Sequence, residues 1–178
     1  MKNWNGLFAR GTVVAVTALA MTGTFVNSTE CRAVDDFKGA PANAEVTASA
    51  MGGFGLIDTS GGFTVIGAIA KKIVNHGFIN DINDQVFLEV EAGPLFTTGT
   101  TAWLYSVHGR WDFKQDDQWT FFAMGGLGAN SVSSNRVGDR FSVYPRLGVG
   151  AFWTLPAGLT LRGEISHEVI IAGVSIGI

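Results

Sequence analysis

Charge is scarce in this chain. Asp, Glu, Lys and Arg make up only 15% of its 178 residues, a low share for a domain bathed in water. There is no basic surplus: the formal net charge is -3, which leaves nothing to neutralise a phosphate backbone and excludes nucleic acid as a partner. Cysteine is nearly absent. Cys31 is the only one, so no disulfide can form within the chain. His76 and His108 stand far apart, no Cys or His pair has metal-ligand spacing, and Asp81, Asp84, Asp116 and Asp117 fit no calcium loop, so no metal or other cofactor is expected. After the leader region no apolar run is long enough for a membrane-crossing helix. Yet mean hydropathy is +0.26, and the chain holds 24 Gly, 13 Phe and 5 Trp. So apolar a chain with no spanning helix needs another apolar setting.

The first residues read as a signal peptide. Lys2 and Arg10 give a positive start, Thr12 to Val26 is uncharged and apolar, and Cys31-Arg32-Ala33 fits a small-x-small cleavage site. The expected cut follows Ala33. The alternative is an uncleaved anchor helix, for which the stretch is short. Lipidation at Cys31 is disfavoured by Glu30 just before it. Residues 34–43 read as a polar periplasmic linker with Gly39 and Pro41, and residues 44–178 as the folded domain.

Eight segments follow, separated by turn chemistry: Ala44 to Ile57, Phe63 to Ile73, Gln85 to Phe96, Ala102 to Phe113, Gln118 to Ala129, Arg140 to Thr154, Gly158 to Ser166 and Val169 to Ile178. Their period is two. In the fourth, Trp103, Tyr105, Val107, Gly109, Trp111 and Phe113 alternate with Leu104, Ser106, His108, Arg110 and Asp112. In the sixth, Phe141, Val143, Pro145, Leu147, Val149, Ala151 and Trp153 oppose Ser142, Tyr144, Arg146, Gly148 and Gly150. Leu159, Leu161 and Ile165 oppose Thr160, Arg162, Glu164 and Ser166 in the seventh; in the third, Val86, Leu88 and Val90 oppose Glu89 and Glu91, with Phe87 on the polar side. Segments one, two and five have mixed faces.

A soluble barrel would turn the apolar face inward, whereas a membrane barrel turns it to lipid. Three features favour the membrane. The segments exceed the ~5–6 residues of a typical globular strand and suit the ~9–11 of a tilted membrane strand. Trp103, Trp111, Trp119 and Trp153 sit near segment ends, as an interfacial aromatic belt requires. Gly148 and Gly150 on the polar face suit a narrow lumen. An open sheet cannot survive in hydrocarbon, so the strands must close. The expected fold is all-β: an eight-stranded antiparallel up-and-down transmembrane barrel, with an interior that side chains nearly fill.

At this point the chain resembles the small eight-stranded outer-membrane barrels of Gram-negative bacteria, of the OmpA-barrel and OmpX type, over Ala44 to Ile178. The likeness is closest in Tyr144-Pro-Arg-Leu-Gly-Val-Gly-Ala-Phe-Trp153, in Gly158-Leu-Thr-Leu-Arg-Gly-Glu-Ile165 and in Val169-Ile-Ile-Ala-Gly-Val-Ser-Ile-Gly-Ile178. The resemblance implies an outer-membrane location, lipid as surroundings and a last strand read by the barrel assembly machinery. Ile170, Ala172, Val174, Ile176 and Ile178 keep the alternation that signal requires, although the final residue is usually Phe and here is Ile178. It also implies a periplasmic N-terminus, with outer loops at Asp58 to Gly62, Thr97 to Thr101, Asn130 to Asp139 and His167 to Glu168. Asn130 to Asp139 is then the loop long enough to meet a surface ligand. The connection from Val74 to Asp84 would face the periplasm, where turns are normally short; a missed strand boundary would explain its length.

The polar faces bring together Glu89, Glu91, His108, Arg110, Asp112, Arg146, Arg162 and Glu164. A lone buried charge is unfavourable, and this set has both signs. Glu89, Glu91, Arg110, Asp112, Arg146, Arg162 and Glu164 are therefore expected to form an ion-pair network that plugs the lumen. The function this suggests is non-enzymatic: envelope structure or surface interaction. Three alternatives stand beside it. A lipid A-modifying barrel enzyme would need Ser, His and a carboxylate at the outer rim, but Ser166-His167-Glu168 are consecutive and strand neighbours point to opposite faces. A lipocalin-like periplasmic binder would need Val143, Leu147 and Val149 inside. A narrow porin-like channel would need an open lumen. Gly52-Gly53-Phe54-Gly55 and Gly125-Gly126-Leu127-Gly128 open no helix and make poor phosphate cradles.

Overall fold

The computed structural model describes residues 44–178 apart from 58–59, 76, 80–81, 134–139 and 157. The expected leader and linker, Cys31 and His76 lie outside the described residues. Eight strands follow one another: β1 (Val46–Ile57), β2 (Ser60–Val74), β3 (Asp84–Thr97), β4 (Thr100–Lys114), β5 (Trp119–Ser133), β6 (Arg140–Thr154), β7 (Thr160–Ser166) and β8 (Val169–Gly177). Each pairs antiparallel with its chain neighbours, and β8 closes on β1, giving one closed up-and-down barrel. This is the architecture the alternation predicts. Closure gives the wall no free first or last strand.

The period of two sets the faces. Arg146 is 1% exposed and its neighbour Leu147 69%; Ile171 is 3% exposed and Ile170 61%. Leu88, Val90, Trp103, Tyr105, Val107, Val149 and Ile165 all point out. The lipocalin-like arrangement is overturned here: Val143, Leu147 and Val149 lie on the outer wall.

Strand ends differ from the sequence expectation at the hairpins. Glycine makes β3–β4 tighter than Thr97 to Thr101 suggested: Thr97 pairs with Thr100, and the turn is Thr98-Gly99, with Gly99 at φ 86° in the left-handed region that favours glycine. β2 begins at Ser60, so Ser60, Gly61 and Gly62 are strand and not loop. β5 runs on through Ser133, because Asn130 and Val132 find partners in Ser142 and Arg140 of β6. Residues 130–133 thus leave the expected recognition loop, and 134–139 lie outside the described residues.

Among the described residues between Val74 and Asp84, none is strand. Gly77 and Phe78, beyond the end of β2, are held by Asp84 at the start of β3. The backbone N–H of Phe78 donates to Asp84 Oδ2 (2.9 Å), that of Gly77 to the Asp84 carbonyl (2.8 Å), and Trp111 Nε1 to Asp84 Oδ2 (2.7 Å). Phe78 packs edge-on against Trp111, with ring centroids 5.7 Å apart. Gly77 is needed by close approach, because a β-carbon there would strike the Asp84 carboxylate.

The interior is not polar throughout. Met51, Ile66, Ala68, Leu95, Ala102, Leu104, Val169 and Ile171 form an apolar cluster toward the β1–β2, β3–β4 and β7–β8 hairpins. Phe122, Met124 and Phe152 form a smaller one nearer the terminal end. The mixed faces of segments one, two and five follow: there both faces of the wall meet apolar surroundings.

Candidate functional site

Between the two apolar clusters lies a layer of charge. Cross-strand register builds it. Glu89 of β3 faces His108 of β4, Glu91 faces Ser106, and Phe87 faces Arg110. On β7, Arg162 and Glu164 are two residues apart and so share the inward face. Arg146 enters from β6 opposite Gly126.

Arg162 is the hub. Its Nη1 donates to Glu89 Oε2 (3.0 Å), and its Nη2 to Glu89 Oε1 (2.6 Å), Glu91 Oε1 (3.1 Å) and Glu164 Oε2 (2.7 Å). Arg110 forks onto Asp112 through Nε (2.8 Å) and Nη2 (3.1 Å), and its Nη1 donates to Glu89. Arg146 lies 2.7 Å from Glu91 and 2.6 Å from Glu164, and its Nε is 3.1 Å from Glu168. The structure thus brings together in one connected cluster all seven residues that the polar faces marked: Glu89, Glu91, Arg110, Asp112, Arg146, Arg162 and Glu164. Six of them are 0–1% exposed, and Asp112 is 8% exposed. Such burial leaves no room for water around the guanidiniums.

Other members were not assigned to the network from sequence. His108 Nε2 sits 3.0 Å from Glu89 Oε1, and Ser106 Oγ takes a hydrogen bond from Arg146 Nη1 (2.6 Å). Glu168 reaches in from the β7–β8 turn. Phe87, Phe122 and Phe152 lie beneath the charge: the Arg110 guanidinium is 4.7 Å from the Phe87 ring centre and 4.8 Å from that of Phe152, and the Arg162 guanidinium is 5.1 Å from that of Phe122. A ring face attracts a cation, so these phenylalanines are a floor and not intruders on a polar face. The available signal was that Phe87 is in phase with Glu89 on β3 and Phe152 with Arg146 on β6.

Two arrangements resemble chemistry. Ser106 Oγ is 3.3 Å from His108 Nδ1, and His108 Nε2 meets Glu89, the order of a nucleophile, base and orienting acid. This serine is buried and bonded to Arg146 and Glu91, so it faces no substrate. One atom each from Glu89, Glu91 and His108 lie within 4.8 Å of one another, a spacing a metal could use. Arg162 Nη2 already bonds both carboxylates, and a cation would have to displace it. At the rim, the expected separation of Ser166, His167 and Glu168 is visible. Ser166 Oγ accepts from the Val169 backbone N–H (3.2 Å), His167 is exposed with its ring edge-on to Tyr144, and Glu168 turns inward toward Arg146.

The four tryptophans of the expected belt all lie on the outer wall. Trp103 stacks on Tyr105 toward the β3–β4 hairpin (6.3 Å). Toward the other end, Trp119 stacks on Trp153 (5.6 Å) and Trp111 packs on Phe113 (4.8 Å).

Apolar outside and charged within, the described strands form a closed eight-stranded antiparallel barrel. Among solved structures it is similar to that of Ail, the attachment invasion locus protein of Yersinia pestis, with 12% identity over 74% of this chain and 96% of that one and a TM-score of 0.46. The same protein in complex with the heparin analogue sucrose octasulfate gives 12% identity, the same coverage of 74% and 96%, and a TM-score of 0.47. No protein-family model and no curated protein matches the chain.

Proposed function

We propose that the protein is a non-enzymatic barrel of the bacterial outer membrane, matured by removal of residues 1–33, that supports the envelope and meets partners at the cell surface. The observation that carries this reading is the buried charge inside the barrel: the three guanidiniums and their carboxylates are 0–8% exposed. A barrel so filled offers neither a conduit nor a substrate chamber, and leaves its outer wall and rim for function. Lipid surrounds the wall, and the last strand, with Ile170, Ala172, Val174, Ile176 and Ile178 in alternation, is the signal for the barrel assembly machinery.

The rim is uneven, which supports a surface role. Among the described residues, β6 pairs with β7 only from Gly148 to Thr154, so residues 140–147 rise beyond the end of β7 with β5 alone beside them. Unpaired strand backbone is costly in hydrocarbon, which favours the upper end of this stretch, next to Arg140, lying at or beyond the bilayer surface. The tall end of the β5–β6 pair, at Asn130 to Val132 and Arg140 to Ser142, is then the part of the molecule nearest a surface ligand.

Two measurements test the reading. Membrane fractionation should recover the chain in the outer membrane, extractable only with detergent and with heat-modifiable gel mobility. In planar bilayers the folded protein should give no stable conductance steps; steady ion flow through single barrels would refute the plug.

A further inference from the structure

One charged side chain breaks the apolar outer wall. Among the described strand residues, the outward set carries two charges, Lys71 of β2 and Asp84 at the start of β3. Asp84 is covered: it is 3% exposed and bonded by Trp111 and by the Phe78 backbone N–H. Lys71 is exposed, lies between outward Ile69 and Ile73, and has no ion-pair partner among the described residues. A charge on the lipid face is tolerated only near an interface, and a lysine there turns its ammonium toward the headgroups. The register agrees. The row of Trp111 runs through Val86 to Val74, three residues along β2 from Lys71, at the terminal end of the barrel. Near it in the chain Phe78, Ile79 and Ile82 are exposed, apolar side chains that water would not favour.

We propose that Lys71 and this apolar foot form a binding site for an anionic glycerophospholipid of the leaflet at the terminal, periplasmic end. The ammonium meets the headgroup phosphate, while Phe78, Ile79 and Ile82 wedge among the upper acyl carbons. A phosphate with no second cationic group beside it leaves the headgroup's negative charge unbalanced except by Lys71, so phosphatidylglycerol is favoured over phosphatidylcholine. The site rests on the membrane reading given above.

Trp111 supplies the probe. The mature chain, with Trp103, Trp119 and Trp153 replaced by Phe and folded into phosphatidylcholine vesicles or an equal mixture with phosphatidylglycerol, can be quenched by brominated versions of either lipid. Brominated phosphatidylglycerol should bind next to Trp111 roughly threefold more tightly than brominated phosphatidylcholine. Lys71→Met should abolish the preference and Lys71→Arg keep it. Equal quenching by the two lipids in a folded barrel, or an unchanged preference after Lys71→Met, overturns the site and leaves the membrane reading intact. A chain that enters neither vesicle overturns both. The unaltered chain gives an independent check by native mass spectrometry after extraction from the mixed vesicles: retained phosphatidylglycerol in excess supports the site, and retention in proportion to the mixture refutes it.

Discussion

The barrel interior is filled by opposite means at two levels. Toward the hairpins of β1–β2, β3–β4 and β7–β8, methyl groups from five strands pack together, with Leu95 at 0% exposure in their midst. Below them, three guanidiniums interlock with carboxylates from β3, β4 and β7 and from the β7–β8 turn. Both levels exclude water, but they fail differently. Removing an apolar side chain leaves a void, whose cost depends on how far its neighbours relax. Removing a guanidinium strands buried carboxylates, which cannot relax away their charge. The charged level therefore adds little net stability over an apolar filling of the same shape, yet penalises any misregistered pairing of β3, β4, β6 and β7. It acts as a lock on register more than as glue.

Mutations can pull this contrast apart. Arg162→Ala should have the largest effect, because Glu89, Glu91 and Glu164 all lose a partner at once. A loss of about 4 kcal/mol is expected in urea unfolding of the folded barrel. Arg146→Ala or Glu164→Ala should cost about 3 kcal/mol for the same reason. In the apolar level, Leu95→Ala should cost about 2–3 kcal/mol, the transfer and cavity cost of one buried leucine. If Leu95→Ala proves the more damaging, the two levels do not differ as described. Phe87→Leu is the finest probe. It keeps an apolar side chain beneath Arg110 and removes the ring face, so the expected loss is about 1 kcal/mol. No loss would make the phenylalanine floor simple filling.

The same contrast explains what was legible in the sequence. Where β3, β4, β6 and β7 put Glu89, Arg110, Arg146 or Arg162 between outward apolar residues, the alternation was plain and the strands could be placed nearly to the residue; β6 has the expected ends, Arg140 and Thr154. Where β1 and β2 put Met51, Ile66 and Ala68 inward, both faces are apolar and the period of two is silent, so those segments had mixed faces. Phe87 looked like an exception for a related reason: a ring that supports a cation belongs inside, although hydropathy assigns it outside. The network itself could be assembled from alternation and sign alone. Ser106 and Glu168 were not in it, because a serine carries no charge to flag it and a turn residue has no face until the turn is built. The positions of Gly77 and Phe78 remained opaque, since they come from bonds to Asp84, which Trp111 also holds, across the strand end.

The strands also differ in reach. β7, with 7 residues, is the shortest, while β4, β5 and β6 have 15 each. The wall is therefore low at the β7–β8 turn and tall at β5–β6. Ser166 and His167 sit at the low side, where Ser166 serves the turn through its bond from Val169.

Orientation of the two faces is the claim on which the rest depends, and β4 offers the most direct test. Single cysteines placed in turn at Tyr105, Ser106, Val107, His108 and Gly109, with Cys31 replaced, can carry an environment-sensitive fluorophore in barrels folded into vesicles. Lipids brominated along the acyl chain should quench labels at Tyr105, Val107 and Gly109 strongly and those at Ser106 and His108 weakly, a period of two with the odd positions in lipid. Strong quenching at Ser106 and His108, or uniform quenching along the strand, would contradict it.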